Sequence, residues 1–302
     1  MMDVITHFLE SHTEELSFSP SPIMAKYTSF HIGGRAEYLI YPHTMESLCS
    51  VLDFFEENQY KYAVVGRMTN LLFTDNDYSG AVICTSKIKE IKRSDTHVTA
   101  ACGVTLSELC RFSRDCALTG HEFAYGIPGS VGGGVYMNAG AGEHELSDIL
   151  SSVTYYDICE KRIYTIPASA CDFAYRSSMF AKSPSKVILQ AEFALESGSI
   201  EAIRADMENR LAKRASSQPL EYPNAGSVFK RNDNCIVSKL IDETGLKGLR
   251  CGDAEVSQKH AGFIVNRGNA TAKDVLTLIE KIKTIIRQKH GIDLKEEILY
   301  IE

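Results

Sequence analysis

The 302-residue chain has no apolar run approaching the roughly 20 residues that a membrane-spanning helix needs. It has no basic residue before Lys26, and Asp3, His7 and Glu10 interrupt its first apolar positions, so a secretory leader is not expected. Among its nine cysteines there is no C-x-x-C pair and no regular spacing. Such a count argues against a disulfide framework or a zinc site, and suits a reduced, cytoplasmic protein that uses no metal. Positive charge is also short: 32 Lys and Arg against 39 Asp and Glu leave a formal net charge of −7. Nucleic acid and anionic membrane surfaces are therefore poor partners, and an anionic substrate would need a local basic cluster. Internal repeats and low-complexity segments are missing too. What remains, 44% hydrophobic and 24% charged residues, is an ordinary globular composition long enough for two or three domains.

Glycine, by contrast, is concentrated. Seven of the 21 glycines fall between Gly126 and Gly142. Each costs a helix or strand about 0.5–1 kcal/mol relative to alanine, so this run is expected to be neither. Ile127, Val131, Val135, Tyr136 and Met137 are interleaved with the glycines. A packed loop that hugs a ligand fits better than a flexible linker, with exposed N–H groups able to cradle a phosphate. Gly126, Gly129 and Gly132 are spaced by three, which is not the G-x-G-x-x-G dinucleotide pattern.

Elsewhere the periodicities alternate between helix and strand. A helix is expected over residues 2–16, a strand at Tyr38–Tyr41, and a Thr44-capped helix carrying Leu48, Val51, Leu52 and Phe55. Lys61–Val65, Ala81–Thr85 and His97–Ala101 read as strands, and Leu106–Leu118 as a helix. Val153–Ile158, Arg162–Ile166 and Val187–Leu195 suggest antiparallel pairing. Gly198-Ser199 marks the expected boundary between domains 1–197 and 198–302. Beyond it come a long polar helix stopped before Pro219, a short helix near Val237–Glu243, a strand at Gly262–Asn266, a Thr271-capped helix and a final strand over Ile292–Ile301. The mixture indicates α+β.

Four stretches place polar residues where packing alone would not ask for them. Arg176, in Tyr175-Arg176-Ser177-Ser178, by itself reads as half of a surface ion pair. Ser227 sits beside Gly226, where serine usually serves a turn, yet Lys230 and Arg231 follow it, so an anion site competes. His260 alone reads as a structural group. In the last strand, alternation puts Glu297 on a face with Leu299 and Ile301; burial there would favour its neutral acid, while the alternative is an edge-strand charge.

Together these stretches resemble the UDP-N-acetylenolpyruvoylglucosamine reductase family from about Tyr27 to the C-terminus. The resemblance rests on Thr28-Ser29-Phe30 with Gly33-Gly34, on Gly126-Ile127-Pro128-Gly129-Ser130-Val131-Gly132-Gly133, and on Met137-Asn138-Ala139-Gly140-Ala141. It continues through Tyr175-Arg176-x-Ser178, Ala225-Gly226-Ser227-Val228-Phe229-Lys230, His260-Ala261-Gly262-Phe263-Ile264-Val265-Asn266 and Gly268-Asn269-Ala270-Thr271-Ala272. It implies an FAD-binding region of the vanillyl-alcohol-oxidase (p-cresol methylhydroxylase) type in two lobes, followed by a C-terminal α+β substrate domain. The implied FAD contacts are Gly66, Arg67, Thr69 and Asn70, then Gly126, Pro128, Gly129, Ser130, Gly132 and Gly133, and lastly Asn138, Ala139 and Gly140.

The implied reaction uses NADPH as hydride donor to reduce the enolpyruvyl ether of UDP-N-acetylglucosamine enolpyruvate, by way of the flavin. Arg176 and Glu297 match the enolate-stabilising pair and Ser227 the proton donor, with Lys230 expected to activate the serine. Lys230 and His260 are the expected substrate contacts, and a monomer is expected. Two departures stand out. Met68 occupies a position that is glycine in the usual Gly-x-Gly-Ser-Asn loop, and if it crowds the pyrophosphate, Met68→Gly should tighten FAD. Gly142-Glu143-His144-Glu145-Leu146 replaces a Tyr-Gly-containing tract. The 51 positions from Arg176 to Ser227 resemble the shorter subfamily without an inserted tyrosine-bearing loop, so something else must cover the substrate. Two other readings stay open: an FAD-dependent oxidase releasing hydrogen peroxide, and a flavin-binding protein without catalysis.

Overall fold

The computed structural model describes residues 2–232 and 235–302. It divides into two compact units, one of Met1–Pro20, Tyr38–Arg67 and Gly80–Ala212, the other of Ser21–Glu37, Met68–Ser79 and Lys213–Glu302. The second unit is thus assembled from three separated segments.

The first unit holds two larger sheets besides two short two-stranded ones. One runs Leu16–Pro20, Ala36–Pro42, Tyr78–Cys84, Tyr62–Val65, its last two strands parallel. The helix Met45–Glu57 starts as its sequence asks: the Thr44 hydroxyl accepts from the Ser47 N–H and the Ser47 hydroxyl accepts from the Thr44 N–H. The other is an antiparallel five-stranded sheet, Arg162–Pro167, Leu150–Asp157, Lys186–Ala194, His97–Ala101, Ile91–Ser94. The N-terminal helix is shorter than its periodicity suggests, Met2–Ser11, because residues from Leu16 onward are taken into the first sheet.

The glycine-rich run departs from expectation. Val131–Met137 is an α-helix with Gly132, Gly133 and Gly134 inside it. Packing outweighs propensity here. The helix lies against strands His97–Ala101 and Lys186–Ala194. A Cβ on Gly132 would come within 2.9 Å of the Cys102 Cβ, and one on Gly134 within 2.9 Å of Leu146. Only a helix face without side chains permits that approach.

In the second unit the antiparallel sheet Asn224–Ser227, Phe263–Asn266, Ala254–Val256, Arg250–Cys251 shares a core with helix Ala272–His290. That helix carries Val275, Leu278, Ile279, Ile282 and Ile286 at three/four spacing, all buried. Its Thr271–Asp274 capping box is formed, and Gly291 ends it at φ 67°. Asp75 adds a charged cap, accepting from the Ala272 N–H at 2.7 Å and the Lys273 N–H at 3.0 Å. The motif Thr28-Ser29-Phe30 is tied into this unit: the Ser29 hydroxyl donates to the Asn224 carbonyl, and the Asn266 amide donates to the Phe30 carbonyl. The expected final strand over Ile292–Ile301 is only Leu299–Ile301, paired in parallel with Leu71–Phe73. Before it, the chain instead buries Leu294 and Ile298 and makes one bridge, Phe229 to Glu296.

One buried group gives the first unit a pH dependence. The His121 ring is 1% exposed and stands edge-on to Phe193. The Ser113 hydroxyl donates to the Leu109 carbonyl, so the His121 Nδ1–H is assigned as donor to that hydroxyl at 2.8 Å. Its Nε2 then has no partner among the described residues. Burial pushes the imidazole down to about 3. The unfolded chain binds this proton near 6.5 and the folded chain does not. The stability due to neutral His121 is therefore complete above about 6.5 and is lost as pH falls toward 3, at about 1.4 kcal/mol per pH unit. We expect His121→Gln to be less stable than wild type at pH 8 but to show a shallower loss between pH 6 and 4, measured by urea midpoints. Parallel pH profiles for the two proteins would contradict this.

Candidate active site

In the first unit the strand ending at Val65 runs into Gly66, and the loop presses on the start of the glycine helix. A Cβ on Gly66 would meet the Ser130 Oγ at 2.5 Å. Ser130 is the N-cap of that helix, and its Oγ accepts from the Gly133 N–H at 3.4 Å. Gly133 has only that hydroxyl within 4 Å of where its Cβ would be, so its face of the helix is open. A backbone that closes around Ser130 yet stays bare at Gly133 fits a dinucleotide diphosphate resting on N–H groups. The residues that would hold it are Gly66, Arg67, Ser130 and Gly133.

The other end of the helix organises a cation. Asn138 closes the helix in the left-handed conformation, φ 46° and ψ 58°, and is 1% exposed. Its Nδ2 donates to the Glu145 Oε2 at 2.7 Å and to the Ala174 carbonyl at 3.2 Å, while its Oδ1 accepts from the Ser147 N–H. Arg176 comes to the same place. Its Nη1 donates to the Asn138 carbonyl at 3.3 Å and its Nη2 to the Gly140 carbonyl at 3.0 Å. The Glu145 Oε1 lies 3.7 Å from Nη1. Arg176 is thus no mobile surface arginine: its side chain is 14% exposed and its φ is 51°.

Ser227 and Glu297 are brought together by backbone in the second unit. The Glu297 N–H donates to the Val228 carbonyl at 2.7 Å, and the Glu297 carbonyl accepts from the Asn70 Nδ2 at 3.1 Å. Glu297 is thus held through its main chain by Asn70 and by Val228, the residue after Ser227. Among the described residues no hydrogen bond joins Ser227 to Lys230. Lys230 instead lines a cavity of about 160 Å³ with Arg231, Lys295 and Asp293. His260 serves the turn before Phe263–Asn266: its Nδ1 accepts from the Gly262 N–H and its ring stands edge-on to Phe263. Burial pushes its imidazole below the usual histidine range.

Three residues were not singled out by sequence. Glu145 lies in a tract that looked only divergent. The Arg214 Nε and Gln218 Oε1 are buried without a partner among the described residues, and burial works against the charge on Arg214. Buried groups left unpaired cost about 1–3 kcal/mol each, so two together mark a place built to receive something polar. Their spacing of four across the end of a polar helix was the signal, and it looks like that of any exposed pair.

Comparison with known proteins places both regions. Residues 36–161 match a family model described as an FAD binding domain, and residues 218–301 match the C-terminal domain of UDP-N-acetylenolpyruvoylglucosamine reductase. The reductase of that name from Clostridium novyi is 40% identical over 290 residues, covering 96% of this chain and 94% of the relative. The one from Limosilactobacillus fermentum is 38% identical over 301 residues, covering 100% and 98%. The crystal structure of the Thermus caldophilus reductase superposes with a TM-score of 0.79 at 30% identity, over 95% of this chain and 99% of that one.

Met68 adopts φ 53°, the left-handed conformation that glycine holds without strain. The loop keeps a path suited to glycine and accepts the methionine at a local cost, with the side chain 5% exposed. Removing the side chain either way opens a cavity, but only glycine relieves the backbone, by about 1–2 kcal/mol. Met68→Gly should therefore be more stable than Met68→Ala, reversing the usual order of the two residues. Urea unfolding of the pair checks it; an alanine variant as stable as the glycine one would show that the loop rearranges.

Proposed function

The chain belongs to the UDP-N-acetylenolpyruvoylglucosamine reductase family, and from that premise we propose that it reduces the enolpyruvyl ether of UDP-N-acetylglucosamine enolpyruvate to UDP-N-acetylmuramate, with NADPH as reductant. That it is an FAD oxidoreductase follows from the family and its FAD-binding domain. We assign FAD binding to residues 1–197 and substrate binding to 198–302, in a cytoplasmic monomer; no helix among the described residues is long and apolar enough to cross a membrane.

Bound FAD would supply the hydride, delivered to the methylene carbon of the enolpyruvyl group. The rest falls to the protein. Addition at that carbon leaves negative charge on its neighbour, spread into the carboxylate as an enolate. The Arg176 guanidinium and the acid form of Glu297 offer fixed donors to that charge, and donors already held in place need no reorganisation when it forms. The Ser227 hydroxyl gives the proton that completes the lactyl ether, and solvent restores the serine. The cation cavity at Lys230 and Arg231 and the Arg214 guanidinium suit the anionic diphosphate of the substrate, while the Gln218 Oε1, an acceptor, suits one of its hydroxyl or N–H donors. His260 supports the turn beside this region.

The observation that supports the reading is the Val228–Glu297 backbone contact, which joins the segment of the proposed proton donor to that of the proposed enolate acid. The experiment separates two half-reactions at Ser227. Reduction by NADPH forms no enolate and needs no serine proton, so Ser227→Ala should bleach the flavin close to the wild-type rate. Reoxidation by the enolpyruvyl substrate should slow by about 10²–10⁴, the usual worth of general acid catalysis. Anaerobic stopped-flow at the flavin absorbance follows both. Unimpaired reoxidation in the well-folded variant would move the proton donor elsewhere.

A further inference from the structure

Resting on the proposed role of Arg176, we infer that Glu145 is a positioning residue, whose carboxylate aims the Arg176 guanidinium by bridging it to the Asn138 amide. One oxygen of Glu145 accepts from the Asn138 Nδ2 at 2.7 Å and the other lies 3.7 Å from the Arg176 Nη1. The same short hairpin supplies the second hold on the cation. Gly140–Ala141 pairs with His144–Glu145, Glu145 opposite Gly140, and the Gly140 carbonyl accepts from Nη2 at 3.0 Å. A Cβ on Gly140 would come within 2.3 Å of the His144 carbonyl, so the hairpin is closed tightly. Fixing Glu145 therefore also fixes that carbonyl.

The turn carrying Arg176 is tied to the same network. Asn138 donates to the Ala174 carbonyl, and Ala174 and Ser177 exchange N–H···O bonds of 3.0 Å across the arginine. Arg176 itself sits at φ 51°. A non-glycine residue persists there only where its surroundings over-determine it. The 3.7 Å separation is long for a hydrogen bond, and the two side chains are 14% and 27% exposed. The carboxylate thus acts on the direction of the guanidinium more than on overall stability, since partly exposed ion pairs stabilise little. A second reading is that Glu145 only shapes the turn that follows, where its N–H donates to the Asp148 carboxylate at 2.9 Å. Side-chain replacement leaves that backbone bond in place but removes the half of the capping box in which the Glu145 carboxylate accepts from the Asp148 N–H, so the two readings separate by whether one half-reaction slows or both do.

The test uses the intact flavoprotein under anaerobic conditions, with reduction by NADPH and reoxidation by the enolpyruvyl substrate followed separately. Glu145→Gln keeps an oxygen for Asn138 and loses the charge; Glu145→Ala loses both. Misplacing a reacting group by about 1 Å can cost about 10²-fold, so we expect reoxidation to slow about tenfold in Glu145→Gln and about 10²-fold in Glu145→Ala, with the reduction step within twofold of wild type. Glu145→Asp should recover part of the rate. Residues that act as one unit are not additive, so Glu145→Ala combined with Arg176→Ala should be no slower than Arg176→Ala alone. Wild-type reoxidation in Glu145→Gln and Glu145→Ala, beside a slow Arg176→Ala, would overturn the inference and leave the reaction standing. So would a Glu145→Ala loss that is fully expressed on the Arg176→Ala background, or equal slowing of both half-reactions in Glu145→Gln. A wild-type protein that the substrate fails to reoxidise would overturn the proposed reaction itself, and this role with it.

Discussion

The site in the first unit depends on how closely one short helix can approach the end of a strand. The Gly132 N–H donates to the Cys102 carbonyl at 2.9 Å, and a Cβ at that position would sit as close to the Cys102 side chain. Everything downstream follows from that contact. It fixes Ser130 at the start of the helix, beside Gly66, and Asn138 at its end. Asn138 then turns the chain in the left-handed conformation, its side-chain amide donating to Glu145 and Ala174 and its carbonyl accepting from Arg176. A single larger residue at Gly132 would displace both ends together. The same glycine run that looks poorly suited to a helix is what lets the helix touch the sheet.

The second unit solves a different problem, that of holding a weak acid and a carboxyl group in register. It does so by gripping the Glu297 main chain. The Val228 carbonyl and the Asn70 amide take the two polar ends of the Glu297 backbone. Fixed donors of this kind stabilise developing charge without reorganising. That economy explains why Asn70, in a loop read as a cofactor contact, is used inside the unit.

Much of this was legible in the chain. Helix starts at Thr44 and Thr271 carry formed capping boxes, and Arg176, Ser227 and Glu297 stood out because packing alone did not ask for them. The misses share a cause. Local propensity speaks against a helix through Gly132–Gly134, and only tertiary contact reverses it. The alternation of residues 292–298 suggested a strand, but among the described residues it makes a single bridge, Glu296 to Phe229, and a continuous ladder forms at Leu299–Ile301. Glu145 gave no sign of its partners, because Asn138 and Arg176 reach it through a turn and a hairpin that periodicity does not foresee. The three-segment second unit was equally hidden, since its joining contacts link residues as far apart as Ser29 and Asn224.

The family assignment and the FAD-binding domain support the proposed reduction of an enolpyruvyl ether. An oxidase on the same cofactor would leave Arg176, Ser227 and Glu297 without a joint task. The most direct measurement is a steady-state one on the purified flavoprotein, following NADPH consumption with and without UDP-N-acetylglucosamine enolpyruvate, with the product weighed by mass spectrometry and peroxide assayed alongside. The account predicts rapid, substrate-dependent NADPH oxidation, a product heavier than the substrate by two hydrogens, and no matching peroxide. Steady peroxide formation indifferent to that substrate, with the enolpyruvyl ether recovered unchanged, would contradict it.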